Sequence, residues 1–200
     1  MVINMVLYLI TILVSMLIIS ILDYIFIAER FGLSFGDLFL AVTISTIVQI
    51  IIDLIIAFCV RRLLPEKWFT VKNKCFCANN KERKFYEKIG IKFWKDKIID
   101  LGILSGFRKN KIDKPRKVEY IERYILEANF GVAVHLACIV LGFIVIFIFP
   151  LTIAMWVGFP VSMVNVVLNL LPLFALRYNL PKLHVLYKFN KTREIHIKNL

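Results

Sequence analysis

Residues 128–176 read ANFGVAVHLACIVLGFIVIFIFPLTIAMWVGFPVSMVNVVLNLLPLFAL, 49 consecutive positions without Asp, Glu, Lys or Arg. As one α-helix this run would reach roughly 70 Å, more than twice the hydrocarbon thickness of a bilayer. It must therefore fold back on itself. Pro150 is the natural break, because proline lacks an N–H and disfavours helix at the residue before it; Gly158, Phe159 and Pro160 offer a second place. Two further apolar runs precede it: 1–22 carries no charge, and 38–60 carries only Asp53. Each is long enough to cross once. No basic stretch precedes the first run, and the run is long for a cleaved signal, so it reads as a permanent anchor. The expected fold is all-α, a polytopic membrane helical bundle of about four transmembrane helices with a cytosolic amphipathic segment. The spans fall near 3–27, 38–60, 129–149 and 152–176, in a single membrane domain covering 1–200.

Charge supplies the orientation. Of 26 Lys and Arg, 19 lie in 61–127 and 6 in the tail from Arg177 onward, while the short loop between the first two spans holds only Arg30. The positive-inside rule places the loop 61–128 and the tail 177–200 in the cytosol, with both termini on that side, in a bacterial cell membrane. The net charge of +12 is then explained by topology and by contact with membrane lipids, including anionic headgroups, and no nucleic-acid partner is expected. The oligomeric state is not encoded in any pattern of the sequence. Cys59 and Cys138 read as packing residues, and Cys75 with Cys77 form a Cys-x-Cys pair lacking the further ligands of a zinc site, so no metal is expected. In a cytosolic loop these thiols stay reduced.

Within the loop, 81–103 reads KERKFYEKIGIKFWKDKIIDLGI, with Phe85, Ile89, Phe93 and Trp94 near helical spacing. The segment either lies flat among headgroups or closes the cytosolic end of the bundle as an ordinary amphipathic helix. The charged run 107–117 reads as a solvated connector.

Polar residues inside the spans share a depth. Asp53 stands 8 residues before Arg61, Asn169 stands 8 before Arg177, and His135 stands 8 after Glu127. Each is thus roughly 12 Å below the cytosolic boundary. Ser45, Gln49 and Asp53 form one helical stripe, and Ser162, Asn165, Asn169 and Pro172 another. Stripes of this kind serve as interhelical glue or mark an interior site. His135 is a candidate general base, since an imidazole titrates near neutrality.

The stretch 84–102, KFYEKIGIKFWKDKIIDLG, together with Glu127, His135 and the run 169–183, NLLPLFALRYNLPKL, resembles the glycosyl-4,4'-diaponeurosporenoate acyltransferase family of bacterial membrane enzymes. Leu64 to Phe69, LPEKWF, is similar to its Pro-acidic-Lys-aromatic-Phe element. The resemblance runs over about 45–188, leaving the first helix as an addition. Leu136, Leu176 and Leu180 stand where the family tends to have Trp, Gln and Arg. The resemblance implies transfer of a fatty acyl group to a sugar hydroxyl on a glycolipid or glycosylated carotenoid, a lipid-borne acceptor, with no bound cofactor and acyl-CoA as co-substrate. It points to Trp94, Lys95, Asp100, Glu127, His135, Asn169, Pro172, Arg177, Tyr178, Asn179 and Pro181. On this reading His135 is the base, Glu127 keeps it basic, Asn169 donates to the oxyanion, and Arg177, Lys182 and Lys95 hold the donor's phosphates. Asp53 joins the binding residues by its depth. A small polytopic enzyme such as a lipid methyltransferase, or a non-catalytic assembly or transport subunit, would share the basic face and the stripes.

Overall fold

A computed structural model of the chain describes residues 2–98, 112 and 114–198, and among these every regular element is helical. Six α-helices follow in order: α1 (Val2–Phe31), α2 (Phe35–Leu63), α3 (Asn80–Lys88), α4 (Ile91–Trp94), α5 (Val118–Leu141) and α6 (Leu151–Lys198). Four helical segments are long and apolar enough to cross a membrane: Val6–Phe31, Phe35–Leu63, Val118–Ile148 and Leu151–Ile197. The protein is an all-α membrane protein with four such spans.

The turns have local causes. Gly32 ends α1 with φ of 63°, a left-handed conformation that side chains other than glycine resist. Ser34 then caps α2: the Asp37 backbone N–H donates to Ser34 Oγ at 3.2 Å, while the Ser34 N–H donates to Asp37 Oδ2 at 2.9 Å. The expected break at Pro150 is present. Phe149 is extended, and α6 opens with Ile153 and Ala154 both donating to Pro150 O at 2.9 Å. Gly142–Ile148 is a 3₁₀ segment that finishes the third span.

Three boundaries differ from the sequence expectation. α6 does not stop near 176 but runs unbroken through Pro160, Pro172 and Pro181 to Lys198. α5 begins at Val118, eleven positions before the expected span, because the charged residues 119–127 continue the helix rather than a loop. The segment 81–103 is not one amphipathic helix. Gly90, with φ of 71°, separates α3 from α4, and the residues buried there are Tyr86 and Ile91, whereas Phe85, Ile89 and Phe93 are exposed.

The chain packs as two compact units, Met1–Cys59 with Leu136–Leu170, and Val60–His135 with Leu171–Leu200. The first has aliphatic cores around Ile19, Val42, Val157 and Val161 and around Ile27, Ala28 and Leu38. Close backbone approach helps to form it: a Cβ added at Gly158 would stand 2.9 Å from Ile146 Cα. In the second, Ala78, Tyr86, Ile91 and Tyr178 pack with Trp94 and Phe174. Phe69 stacks on Phe130 at 3.9 Å, and the buried Asn129 amide donates to Phe69 O at 2.8 Å, tying the 65–70 stretch to α5.

Candidate functional site

The second unit holds a cavity of about 260 Å³ formed between α5, α6 and the turn after α4. α6 lines it with Pro172, Leu176, Asn179, Lys182 and Leu183, at spacings of four, three, three and one that keep them on one side of the helix. Lys95 and Asp96 come from the 3₁₀ turn Lys95–Lys97, and Tyr124 and Ala128 from α5. Three residues named by the resemblance, Lys95, Pro172 and Asn179, thus meet here, together with Lys182, which was expected to help hold the donor's phosphates. Lys182 Nζ stands 4.6 Å from the centre of the Tyr178 ring, a cation–π contact that settles the ammonium at the cavity wall. Lys95 Nζ donates to Asp96 Oδ1 at 3.0 Å. The result is a largely apolar slot whose polar groups are the ammonium of Lys182, the Lys95–Asp96 ion pair, the Tyr124 side chain and the Asn179 side chain, a set with one net positive charge that suits a ligand with an aliphatic part and an anionic end.

Tyr178 and Arg177 hold this wall from behind. Tyr178 is fully buried, and its hydroxyl donates to Glu87 Oε1 at 3.1 Å. That bond, with Lys92 3.4 Å from the same oxygen, holds the Glu87 carboxyl below the usual carboxylate range. The Arg177 guanidinium donates to both Glu82 carboxylate oxygens at 2.9 Å and to the carbonyls of Cys75 and Cys77 at 3.5 and 3.4 Å. Its own carbonyl accepts the Ala78 N–H at 3.1 Å. Arg177, expected to grip phosphate, therefore clasps the cysteine-bearing loop and the start of α3. Burial pushes Glu82 upward, but the Asn79 N–H of the α3 capping box and Arg177 outweigh it, leaving the carboxyl below its ordinary value. Trp94 is half-buried against this core, with its indole N–H donating to Ile89 O at 3.0 Å.

His135 is half-buried on α5, seven positions after the cavity residue Ala128 and so almost directly below it on the same helix face. Glu127 is eight positions away, roughly 12 Å along the helix. Its carboxylate pairs with Arg61 and lines a separate groove with Glu66, Thr70 and Phe130. The Glu127 carboxylate expected to keep His135 basic is thus engaged by Arg61. Asp100 lies outside the described residues.

In the first unit the two polar stripes do meet. Asp53 accepts from Gln49 Nε2 at 3.2 Å, from Asn165 Nδ2 at 3.4 Å and from Asn169 Nδ2 at 3.2 Å. Asn169 also donates to Asn165 Oδ1 at 2.8 Å. The amide expected to face an oxyanion is thus turned onto a carboxylate and a neighbouring amide. Gly142 makes room for the cluster, since a Cβ there would stand 2.5 Å from Asn165 Nδ2 and 2.8 Å from Gln49 Nε2.

Sequence reasoning did not find Tyr124, Leu183, Glu82 or Arg61. Tyr124, Ala128 and His135 do recur at four and seven, a helical signal masked by the charges among which it runs. The partners of Arg177 lie about a hundred residues away in the chain and leave no local trace. No group of His, Cys, Asp and Glu able to hold a metal occurs among the described residues.

A family model described as glycosyl-4,4'-diaponeurosporenoate acyltransferase matches residues 65–188, more than half of the chain. No curated protein and no solved structure matches.

Proposed function

Because the chain belongs to the glycosyl-4,4'-diaponeurosporenoate acyltransferase family, a family of membrane acyltransferases, we propose that it moves a fatty acyl group from acyl-CoA to a sugar hydroxyl of a glycolipid or glycosylated carotenoid. The reaction takes place at the cytosolic leaflet of the bacterial cell membrane, where the lipid-borne acceptor arrives through the bilayer and the thioester from water. Anionic headgroups meet the basic loop on the same side. The observation that carries this reading is the cavity at Lys95, Asn179 and Lys182, which lies wholly within the matched residues.

Transfer requires the acceptor oxygen to bond to the thioester carbonyl carbon as the C–S bond breaks, with the hydroxyl proton passing to a base and a proton returning to the thiolate. His135 takes that proton. Lys95 and Lys182 meet the phosphates of the donor as point charges at the rim. Asn179, which lines the same wall, joins them in holding the donor. Tyr178 and Arg177 act as positioning residues: they hold the α6 wall and the adjoining loop through Glu87 and Glu82.

The test is purified full-length protein in lipid nanodiscs, supplied with radiolabelled acyl-CoA and a glycolipid acceptor, with products read by mass spectrometry for the addition of one acyl chain. His135→Gln abolishes transfer while the protein remains folded. Lys95→Ala and Lys182→Ala raise KM for acyl-CoA about tenfold each, the loss of one charge-assisted contact, with little change in kcat. Retained turnover in His135→Gln, or methyl transfer from S-adenosylmethionine in place of acyl transfer, overturns the assignment.

A further inference from the structure

Beside the cavity in the second unit, positive charge accumulates beyond the two lysines that line it. Lys182 lies within electrostatic reach of Lys95, Arg83 and Lys92, and of the Glu87 carboxylate. Glu87 gathers them: its Oε1 accepts from the Tyr178 hydroxyl at 3.1 Å, and Lys92 and Arg83 stand 3.4 and 4.0 Å from the same oxygen. Lys182 sits over the ring of that same tyrosine. Asp96 offsets Lys95, and Glu87 offsets one of the other three cations. Arg83, Lys92 and Glu87 together thus add one more positive charge to the one the cavity already carries. Like charges held this close repel one another, and an anion placed among them relieves the cost.

Arg83 is the least committed member of the cluster. Its 4.0 Å contact with Glu87 is beyond hydrogen-bond reach, and its side chain is 45% exposed. Arg177 spends its guanidinium on Glu82 and two carbonyls, whereas Arg83 still has its donors to offer. Such a planar fork matches the oxygens of a phosphate monoester, and an exposed ammonium such as that of Lys92 adds a point charge beside it. Acyl-CoA carries a diphosphate along its chain and a separate phosphate monoester on its ribose. We propose that Arg83 and Lys92 form a second anion subsite, outside the cavity, that receives this monoester and leaves the diphosphate to Lys95 and Lys182. The assignment rests on acyl-CoA as the donor. It explains why α3, which lines no part of the cavity, turns an arginine toward the lysines that do.

The experiment measures binding alone, by isothermal titration calorimetry on the full-length protein in phosphatidylcholine nanodiscs. The probes are CoA and dephospho-CoA, which lacks only the ribose monoester. CoA is expected to bind about tenfold more tightly, the effect of one charge-assisted contact. Arg83→Ala and Lys92→Ala each weaken CoA severalfold and dephospho-CoA much less, so the preference shrinks toward unity. Lys84→Ala removes an exposed lysine of the same helix and leaves the preference intact. The comparison on the parent protein needs no variant, and it stays decisive if a substitution disturbs the fold. Equal affinity of the parent for CoA and dephospho-CoA overturns the subsite while acyl transfer stands. A preference untouched by both Arg83→Ala and Lys92→Ala places the monoester elsewhere and also overturns it. Loss of the preference when phosphatidylglycerol replaces part of the phosphatidylcholine assigns these cations to lipid headgroups, with the same consequence. Failure of both probes to bind refutes the donor together with the subsite.

Discussion

Arg177 shows how one side chain can carry a family motif and yet do structural work: its guanidinium joins Glu82 to the carbonyls of Cys75 and Cys77. The pair is partly solvated, so its worth is about 1 kcal/mol. Its pH dependence follows from the depressed Glu82 carboxyl. A lowered folded value means the contribution is complete above the ordinary glutamate range, about 4.3, and is lost as pH falls through the lower folded value. The Ala78 amide, bonded to Arg177 O at 3.1 Å, should lose hydrogen-exchange protection over that acidic window after correction for intrinsic rates. Glu82→Gln should lower protection at neutral pH and flatten the step. Gly142 offers a steric counterpart. Gly142→Ala drives a methyl into Asn165 and Gln49 at 2.5 and 2.8 Å and should cost about 1–3 kcal/mol, read as a lower Tm in detergent. Gly36→Ala, whose nearest contact is Ser34 Oγ at 3.6 Å, should leave Tm unchanged or slightly raised. At this scale the sequence exposed what helical period controls: Gln49, Asp53, Asn165 and Asn169 were placed on facing stripes by spacing alone. It did not expose Asp23, a buried carboxyl in α1 with its Oδ2 unpartnered, although Ser20, buried three positions earlier, lies on the same side of the helix.

Among the elements, those set by backbone chemistry were legible and those set by tertiary support were not. Proline at 150 forces Phe149 into the extended region, and the turn follows. Pro160, Pro172 and Pro181 carry the same chemistry, yet α6 continues through all three. Packing along the helix sustains it where the missing N–H groups alone would argue for a kink. Charge was equally poor at marking helix ends, since Arg and Lys are good helix formers, and α5 and α6 extend well past their apolar parts. The broken amphipathic segment shows what a local signal can still decide. Gly90 turns the chain so that Tyr86 and Ile91 go inward and Phe93 is left 83% exposed. If the segment meets the membrane, this aromatic at the head of a lysine-rich turn is the side chain to test for entry into the headgroup region. Phe93→Trp should add fluorescence that brominated phospholipids quench, measured as the difference from the parent protein. Quenching by aqueous iodide alone would place the segment in water.

For the whole molecule, the four spans follow from apolar runs that no soluble domain would carry, and the two-unit packing does not, since α5 and α6 each contribute to both units without a break in composition where they pass from one to the other. The function proposed above adds a requirement that the fold alone does not impose: the basic loop must face the compartment that supplies acyl-CoA. The native thiols can report it. Cys75 is exposed in that loop, Cys77 is half-buried with burial pushing its thiol above the ordinary range, Cys138 is buried, and Cys59 lies within α2. A membrane-impermeant maleimide reacts with thiolate, so Cys75 should label first and Cys77 slowly. If the loop is cytosolic, intact cells should leave Cys75 unlabelled while inverted vesicles label it fully, and Cys75→Ser should remove the fast phase. Labelling in intact cells would put the 19 Lys and Arg of residues 61–127 on the outer face, where no acyl-CoA is available, and would refute the donor along with the orientation. Charge distribution and chemistry make the same demand on this loop, and a single labelling experiment tests both.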